Sequence, residues 1–312
     1  MKSILRNLVT GGSGFLGSHL IDKLMIAGEE VICIDNFISG DEKNIKQWKN
    51  HPKFKLIKHD ITNPINIKVD KIWHLACPAS PMIFNKDPIR TAKTSFLGTL
   101  NMLELAKSSN SKILLASSSA VYGNPKNHPQ RESYNGYVNC FGKRSCYEEG
   151  KRISETLFFD YQRVYGCNVR IARIFNTYGP RMSIKDGRVI CNFIVQALEN
   201  RPITIYGNGS QSRSFCFVDD LVKGLILLMK SKYNKPINLG NTSELKILDL
   251  ANLIRSKINP KLKLTFHSLS EDDPHKRKPS IDLAYKELGW EPKISLNKGL
   301  DQTINYLKNE LS

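Results

Sequence analysis

Thr10-Gly11-Gly12-Ser13-Gly14-Phe15-Leu16-Gly17 follows a short apolar run over residues 4–9 and opens a helical pattern over about 15–27. The glycines fall as G-x-x-G-x-x-G. In that order Gly11 permits a tight turn, Gly14 lets a pyrophosphate approach the backbone, and Gly17 lets helix and sheet pack closely. The helix start adds N–H groups and positive partial charge for phosphate oxygens. Glycines also gather in ordinary turns, so the loop gains meaning from a second signal. Asp35 supplies it, at the end of the next β-rich run over 31–34. A carboxylate there accepts hydrogen bonds from ribose hydroxyls and repels a 2′-phosphate. Asn36-Phe37-Ile38-Ser39 contains no arginine to welcome that phosphate, so NAD is expected rather than NADP. Asp60, after the third run, suits the adenine amino group.

Outward from the loop, β-rich runs at 54–58, 71–75, 112–116 and 168–173 alternate with helical patterns at 89–107 and 147–165. This alternation predicts an α/β fold, a Rossmann-type doubly wound parallel sheet with helices on both faces. After Tyr178-Gly179-Pro180 the elements shorten, with helices expected at 189–199, 218–229 and 247–258. The division expected is an NAD-binding domain over 1–178 and a smaller α/β lobe for the substrate over 179–312, with an interleaved boundary.

Composition narrows the class. The chain has 312 residues, 40% of them hydrophobic, enough for a sizeable core. No run approaches the roughly 18 apolar residues that a membrane helix needs, and no signal peptide is legible. Seven scattered cysteines without a C-x-x-C pair read as free thiols in a reducing compartment, hence the cytoplasm. The net charge of +17 raises nucleic acid as a partner, but the lysines at 43, 46, 49, 53, 55 and 58 lack interleaved stacking aromatics. A lysine-rich solvated surface around a pocket for a small anion is the better reading, with no nucleic acid and no membrane as partners. His74 has no ligand cluster around it, so no metal is expected.

Tyr147 and Lys151 stand four apart on a predicted helix and share a face. A free tyrosine, with a pKa of about 10, is a poor base at neutral pH, and a nearby ammonium stabilises its phenolate. Tyr147 can then take a hydroxyl proton while hydride leaves the same carbon. Ser118, at the C-terminal end of a strand in the same sheet, can hydrogen-bond that oxygen, where ligands of such folds sit.

Longer motifs carry a resemblance. They are His74-Leu75-Ala76-Cys77-Pro78-Ala79-Ser80-Pro81, Cys146-Tyr147-Glu148-Glu149-Gly150-Lys151, RIARIFNTYGPRM from Arg170 to Met182, Asp186-Gly187-Arg188-Val189, and Gly209-Ser210-Gln211-Ser212-Arg213-Ser214-Phe215. The last is Asp272-Asp273-Pro274 leading to Arg277-Lys278-Pro279. With these the sequence resembles the extended short-chain dehydrogenases/reductases, and within them the UDP-glucuronate decarboxylase branch. The resemblance implies a redox-neutral cycle: C4 of the glucuronate is oxidised with NAD, carbon dioxide leaves, and C4 is reduced again to give UDP-xylose. It implies Tyr147 and Lys151 as the acid/base pair, Ser118 where the family usually has threonine, and Arg277 near the sugar carboxylate. Asn176, Arg188, Gln211 and Arg213 would hold UDP, with Lys93 and Asn101 near the sugar and diphosphate. Besides Gly11, Gly14, Gly17, Asp35 and Asp60, the NAD pocket would include Phe15, Leu16, Asn36, Ile61, Leu75, Ala76, Thr94, Ala116 and Thr177. A homodimer paired through the helices at 89–107 and 147–165 is implied as well.

Position 120 departs from the family, which reads Ser-Glu-Val-Tyr-Gly where this chain has Ser119-Ala120-Val121-Tyr122-Gly123. In the family that glutamate is thought to serve water or proton movement during decarboxylation, and losing one acid/base group costs about 10²–10⁴ in rate. Asn135, Cys140, Phe141 and Lys143 depart from the family in a substrate-side loop. Three outcomes follow: a slowed decarboxylase, a UDP-sugar 4-epimerase, which needs no such glutamate, or an NAD- and nucleotide-sugar-binding protein without turnover.

Overall fold

Asn7, Leu8, Val9 and Thr10 are buried in succession, as in a strand covered on both faces. The computed structural model describes residues 4–268 and 276–312, so Asp272-Asp273-Pro274 lies outside the described residues. In chain order the strands are β1 (Arg6–Thr10), β2 (Glu30–Asp35), β3 (Phe54–Lys58), β4 (Lys71–His74), β5 (Lys112–Ser118), β6 (Val169–Ile174), β7 (Thr177–Tyr178), β8 (Ile203–Tyr206), β9 (Ser212–Ser214), β10 (Cys216–Phe217), β11 (Pro236–Leu239), β12 (Glu244–Lys246), β13 (Leu264–His267) and β14 (Lys276–Arg277). The α-helices are α1 (Phe15–Ile26), α2 (Pro81–Phe84), α3 (Pro88–Lys93), α4 (Thr99–Ser109), α5 (Ser145–Tyr165), α6 (Val189–Leu198), α7 (Val218–Lys230), α8 (Ile247–Ile258), α9 (Asp282–Leu288) and α10 (Leu296–Leu311).

Seven strands form one parallel sheet in the order β11-β6-β5-β4-β1-β2-β3. Its two faces divide by the period of two that a strand imposes. Val9, Val31, Cys33, Trp73 and Leu114 join one core, with residues of α1 and α7. Leu8, Ile32, Ile34, Ile72 and Ile113 join the other, with residues of α4 and α5. This is the expected doubly wound α/β architecture.

β11 comes from the second half of the chain yet pairs with β6 as an outer strand of the sheet, Pro236 opposite Ile171 through Leu239 opposite Ile174. The spans 1–178 and 179–312 therefore interleave. Beyond the main sheet, β12-β9-β14, β13-β8 and β10-β7 form small sheets.

The helix expected over 89–107 is not regular. A π-helical turn, Thr94–Gly98, separates α3 from α4. A methyl group on Gly98 would meet Ile61 at 2.5 Å, and one on Gly150 would meet Ser95 Oγ at 2.7 Å. The turn thus packs tightly on both sides, and Thr94, three residues after buried Thr91, is buried at its start.

Candidate active site

The glycine loop is built as a cradle. Gly11 has φ +68°, and a methyl group there would lie 2.9 Å from Ala76 Cα. A methyl on Gly17 would lie 2.2 Å from Gly11 O, so helix and loop pack backbone to backbone. At Gly14 it would meet only Gly11 O within 4 Å, at 3.2 Å, leaving that stretch open to a ligand. Gly14 also caps α1 with no side-chain hydrogen bond, so the first N–H groups of the helix keep their donor capacity. Asp35 accepts from Ser13 N (3.0 Å) and Phe37 N (2.9 Å) and is buried at the loop's flank. A carboxylate has room for about four hydrogen bonds, so capacity remains for a ribose. These residues fit a dinucleotide.

His74 supports the floor of this cradle. Thr10 Oγ1 accepts from Leu75 N and Ala76 N, both at 3.1 Å, so its own hydrogen goes to His74 Nδ1 at 3.1 Å. The proton of the ring therefore sits on Nε2, which donates to Thr99 Oγ1 at 3.2 Å. Full burial, with the Lys151 ammonium adding to it, pushes this histidine down to a pKa of about 3. It is a neutral structural residue.

Tyr147, Lys151 and Ser118 meet in the same cleft, of about 840 Å³, that the glycine loop opens into. Lys151 Nζ donates to Ala116 O at 2.8 Å, pinning α5 against the end of β5, and stands 5.8 Å from the centre of the Tyr147 ring. Ser118 Oγ accepts from Ala120 N at 3.1 Å and keeps its own O–H to donate. The Phe84 ring lies parallel to that of Tyr147, centres 5.2 Å apart and planes within 6°. Ala120 is buried with these two rings, against Cys77 and Cys146. Position 120 also borders the cleft, beside Ser118 and Ser119.

At the substrate end, β14 pairs with β9 in a register that sets Arg277 beside Arg213. Partner residues on neighbouring strands face the same side, so two guanidiniums emerge together, and both border the cleft. Arg277 Nη2 donates to Gly123 O at 2.8 Å, tying this strand to the turn after Ser118. Asn176 and Gln211 border the cleft as well. Arg188 does too, but its guanidinium stands 5.7 Å from the Phe15 ring and pairs with Asp186 at 2.5 and 2.7 Å. It sits beside the dinucleotide loop.

Phe15, Leu16, Asn36, Ile61, Leu75, Ala76, Thr94, Ala116 and Thr177 also line the cleft. Three expected site residues do not border it. Lys93 is exposed on α3, one position before the inward Thr94. Asn101 spends its amide on Ile61 O at 2.9 Å and acts as a prop behind the lining. Asp60 receives Asn36 Nδ2 (3.0 Å), Arg90 Nη2 (3.1 Å), and Thr62 through N (3.0 Å) and Oγ1 (2.8 Å). Burial would raise its pKa, but these donors outweigh it and hold the carboxyl at about 2. Its acceptor capacity is used inside the protein, and Asn36 is the residue it holds toward the cleft.

Sequence reasoning missed Phe84 and the Arg213–Arg277 pairing. The first lies far from Tyr147 in the chain, and the second is a strand register that only the fold creates. Among the described residues, no group of three or more His, Cys, Asp or Glu could hold a metal ion.

The family model described as GDP-mannose 4,6 dehydratase matches residues 8–303. UDP-glucuronic acid decarboxylase 1 of Arabidopsis thaliana is 52% identical over 307 residues, 98% of this chain and 71% of that protein. UDP-glucuronic acid decarboxylase 1 of Xenopus tropicalis is 51% identical over 310 residues, 99% of this chain and 74% of that one. Among solved structures, UDP-glucuronic acid 4-epimerase from Bacillus cereus, in complex with UDP-glucuronic acid and NAD, superposes with a TM-score of 0.89 at 28% identity. That match covers 99% of this chain and all of the other. From glycine loop to final helix, the chain belongs to the extended short-chain dehydrogenase/reductase family, in the group that the GDP-mannose 4,6 dehydratase model describes.

Proposed function

We propose that the chain is an NAD-dependent UDP-glucuronate decarboxylase that makes UDP-xylose. The observation that carries this reading is the convergence, on one cleft, of a dinucleotide cradle, the Tyr147–Lys151 pair and two adjacent arginines. The relatives' names support the substrate. When bound, NAD accepts hydride from C4 of the sugar and later returns it.

The chain's own residues do the rest. Tyr147 takes the proton of the C4 hydroxyl, with the Lys151 ammonium, fixed by Ala116 O, 5.8 Å from the centre of its ring. Ser118 donates its free O–H to the same sugar oxygen. Oxidation leaves a ketone β to the carboxylate, so the electron pair of the breaking C–C bond enters an enolate as carbon dioxide departs. Protonation at C5 and return of hydride to C4, with Tyr147 giving back its proton, complete the cycle. Arg277 pairs with the carboxylate before its loss, and Arg213 and Gln211 hold the UDP, since planar guanidiniums suit carboxylate and phosphate alike. Ala120 leaves the C5 protonation without the family's glutamate and slows the cycle.

The test is a mass-spectrometric time course of the protein with NAD and UDP-glucuronate. Loss of carbon dioxide is expected, faster by about 10²–10⁴ in Ala120→Glu. An isobaric product identifies a 4-epimerase instead, and no product with NAD retained identifies a binding protein.

A homodimer belongs to this reading. Ile89 (70% exposed), Phe96 (42%) and Leu97 (37%), together with Ile153 (37%) of α5, offer apolar surface on the helices expected to pair. Light scattering on the eluting protein tests it, and a monomer refutes it. Seven free cysteines fit a reducing cytoplasm, and no helix among the described residues is long and apolar enough to cross a membrane.

A further inference from the structure

A buried polar chain starts one residue before Ser118. Ser117 Oγ donates to Glu155 Oε1 at 2.5 Å, and Arg173 grips the same carboxylate with Nε (3.0 and 3.2 Å) and Nη2 (2.7 Å). Glu155 lies on α5 one turn beyond Lys151, and both members of the pair are largely buried, with side chains 8% and 13% exposed. From Arg173 the chain runs on through Nη1 to Tyr122 OH and Glu132 O, each at 3.0 Å. Tyr122 donates to Asn238 Oδ1 at 2.7 Å. Asn238 Nδ2 donates to Gln130 O and Ser280 O, each at 3.1 Å. Gln130 in turn clasps Lys278 through both of its main-chain atoms at 2.9 Å, next to Arg277.

We propose that the Glu155–Arg173 pair is a positioning device that registers the Ser118–Gly123 turn and the Arg277 strand against the helix bearing Tyr147 and Lys151. The argument is geometric. Three parts of the proposed substrate site sit on separate segments, β5 with its turn, α5, and β14, and this pair touches or reaches all three. Its branches avoid the glycine loop, so the dinucleotide cradle does not depend on it. Neither residue borders the cleft, so neither is catalytic. The pair's worth as a registering device rests on the functional reading above, whereas its hold on the two segments does not.

The test separates positioning from mere stability. Removing one partner alone strands a buried charge and destabilises the protein, whereas replacing both with apolar residues of similar volume often does not. The comparison is therefore between the wild type, Arg173→Lys and the double variant Glu155→Met/Arg173→Met, all loaded with NAD. The double variant is expected to melt within a few degrees of the wild type and keep its NAD. Its kcat on UDP-glucuronate is expected to fall about 10²-fold, the scale of an ångström of misplacement. Lysine cannot reach both Glu155 and Tyr122, so Arg173→Lys recovers only part of the rate. Hydrogen exchange on the NAD-loaded protein needs no substrate: faster exchange at 118–123 and 276–280, with 11–17 unchanged, is expected in the double variant. Unchanged exchange at both segments, or a double variant with wild-type kcat, overturns the proposal. A wild type inert toward UDP-glucuronate overturns the substrate reading alone, and the exchange result still decides the positioning role.

Discussion

Phe84→Ala should uncouple stability and turnover in a way the stacked rings make calculable. Phe84 is 1% exposed, and its ring covers one face of Tyr147 at 5.2 Å. Truncating a buried phenylalanine to alanine costs about 3–5 kcal/mol, of which about 0.5–1.5 belongs to an aromatic pair beyond its buried area. At about 2–4 °C per kcal/mol, the midpoint of thermal unfolding should fall by roughly 10 °C. The cavity opens directly beside the phenol, so the ring can tilt out of line with the sugar. A displacement of about 1 Å is worth about 10² in rate, or ~2.7 kcal/mol. Phe84→Leu restores most of the volume but not the flat face. It should recover most of the lost stability while its turnover stays depressed. The assay is product formation from UDP-glucuronate, well below each variant's unfolding midpoint, beside a calorimetric scan. Both variants turning over at the wild-type rate while only Phe84→Ala melts early would refute the idea that Phe84 sets the Tyr147 ring.

Further outcomes follow from the cradle and its supports. Gly17→Ala forces a methyl to 2.2 Å from Gly11 O, so the purified protein should carry little NAD and bind it at least tenfold more weakly by calorimetry. Asp35→Ala should weaken NAD at least tenfold in the same titration and also lower the melting midpoint, because Ser13 N and Phe37 N lose their acceptor. His74 has a folded pKa of about 3, below its unfolded value of about 6.5, so the unfolded chain takes up the proton first. Its contribution to stability is complete above pH 6.5 and is lost as the pH falls toward 3. Denaturant titrations at pH 7 and pH 5 should differ by about 2 kcal/mol from this group alone. His74→Gln should remove that share of the difference, and an unaltered pH slope would refute it.

What the sequence makes legible is mostly local. The glycine loop, the helix behind it and Asp35 can be read because each depends on residues within a turn or a strand of one another. Tyr147 and Lys151 are legible for the same reason, as an i,i+4 pair on a regular helix. The π turn at Thr94–Gly98 escapes such reading, because Gly98 and Ser95 fit into spaces that Ile61 and Gly150 create. The Arg213–Arg277 pairing and the Glu155–Arg173 ion pair lie between segments that meet only after the sheet has formed. Asp60 shows another limit. Its residue type suggested a ligand contact, while the surrounding donors, which no spacing reveals, use its oxygens internally.

β11 has a consequence for how the molecule comes into being. Until residues 236–239 have been synthesised, the growing chain exposes the main-chain edge of β6, which is buried and apolar along most of its length. An open edge of that kind invites pairing with other nascent chains. Ribosomes stalled before that strand emerges should therefore hold a sticky intermediate that engages chaperones, and a gene cut at residue 178 should yield inclusion bodies rather than a free nucleotide-binding half.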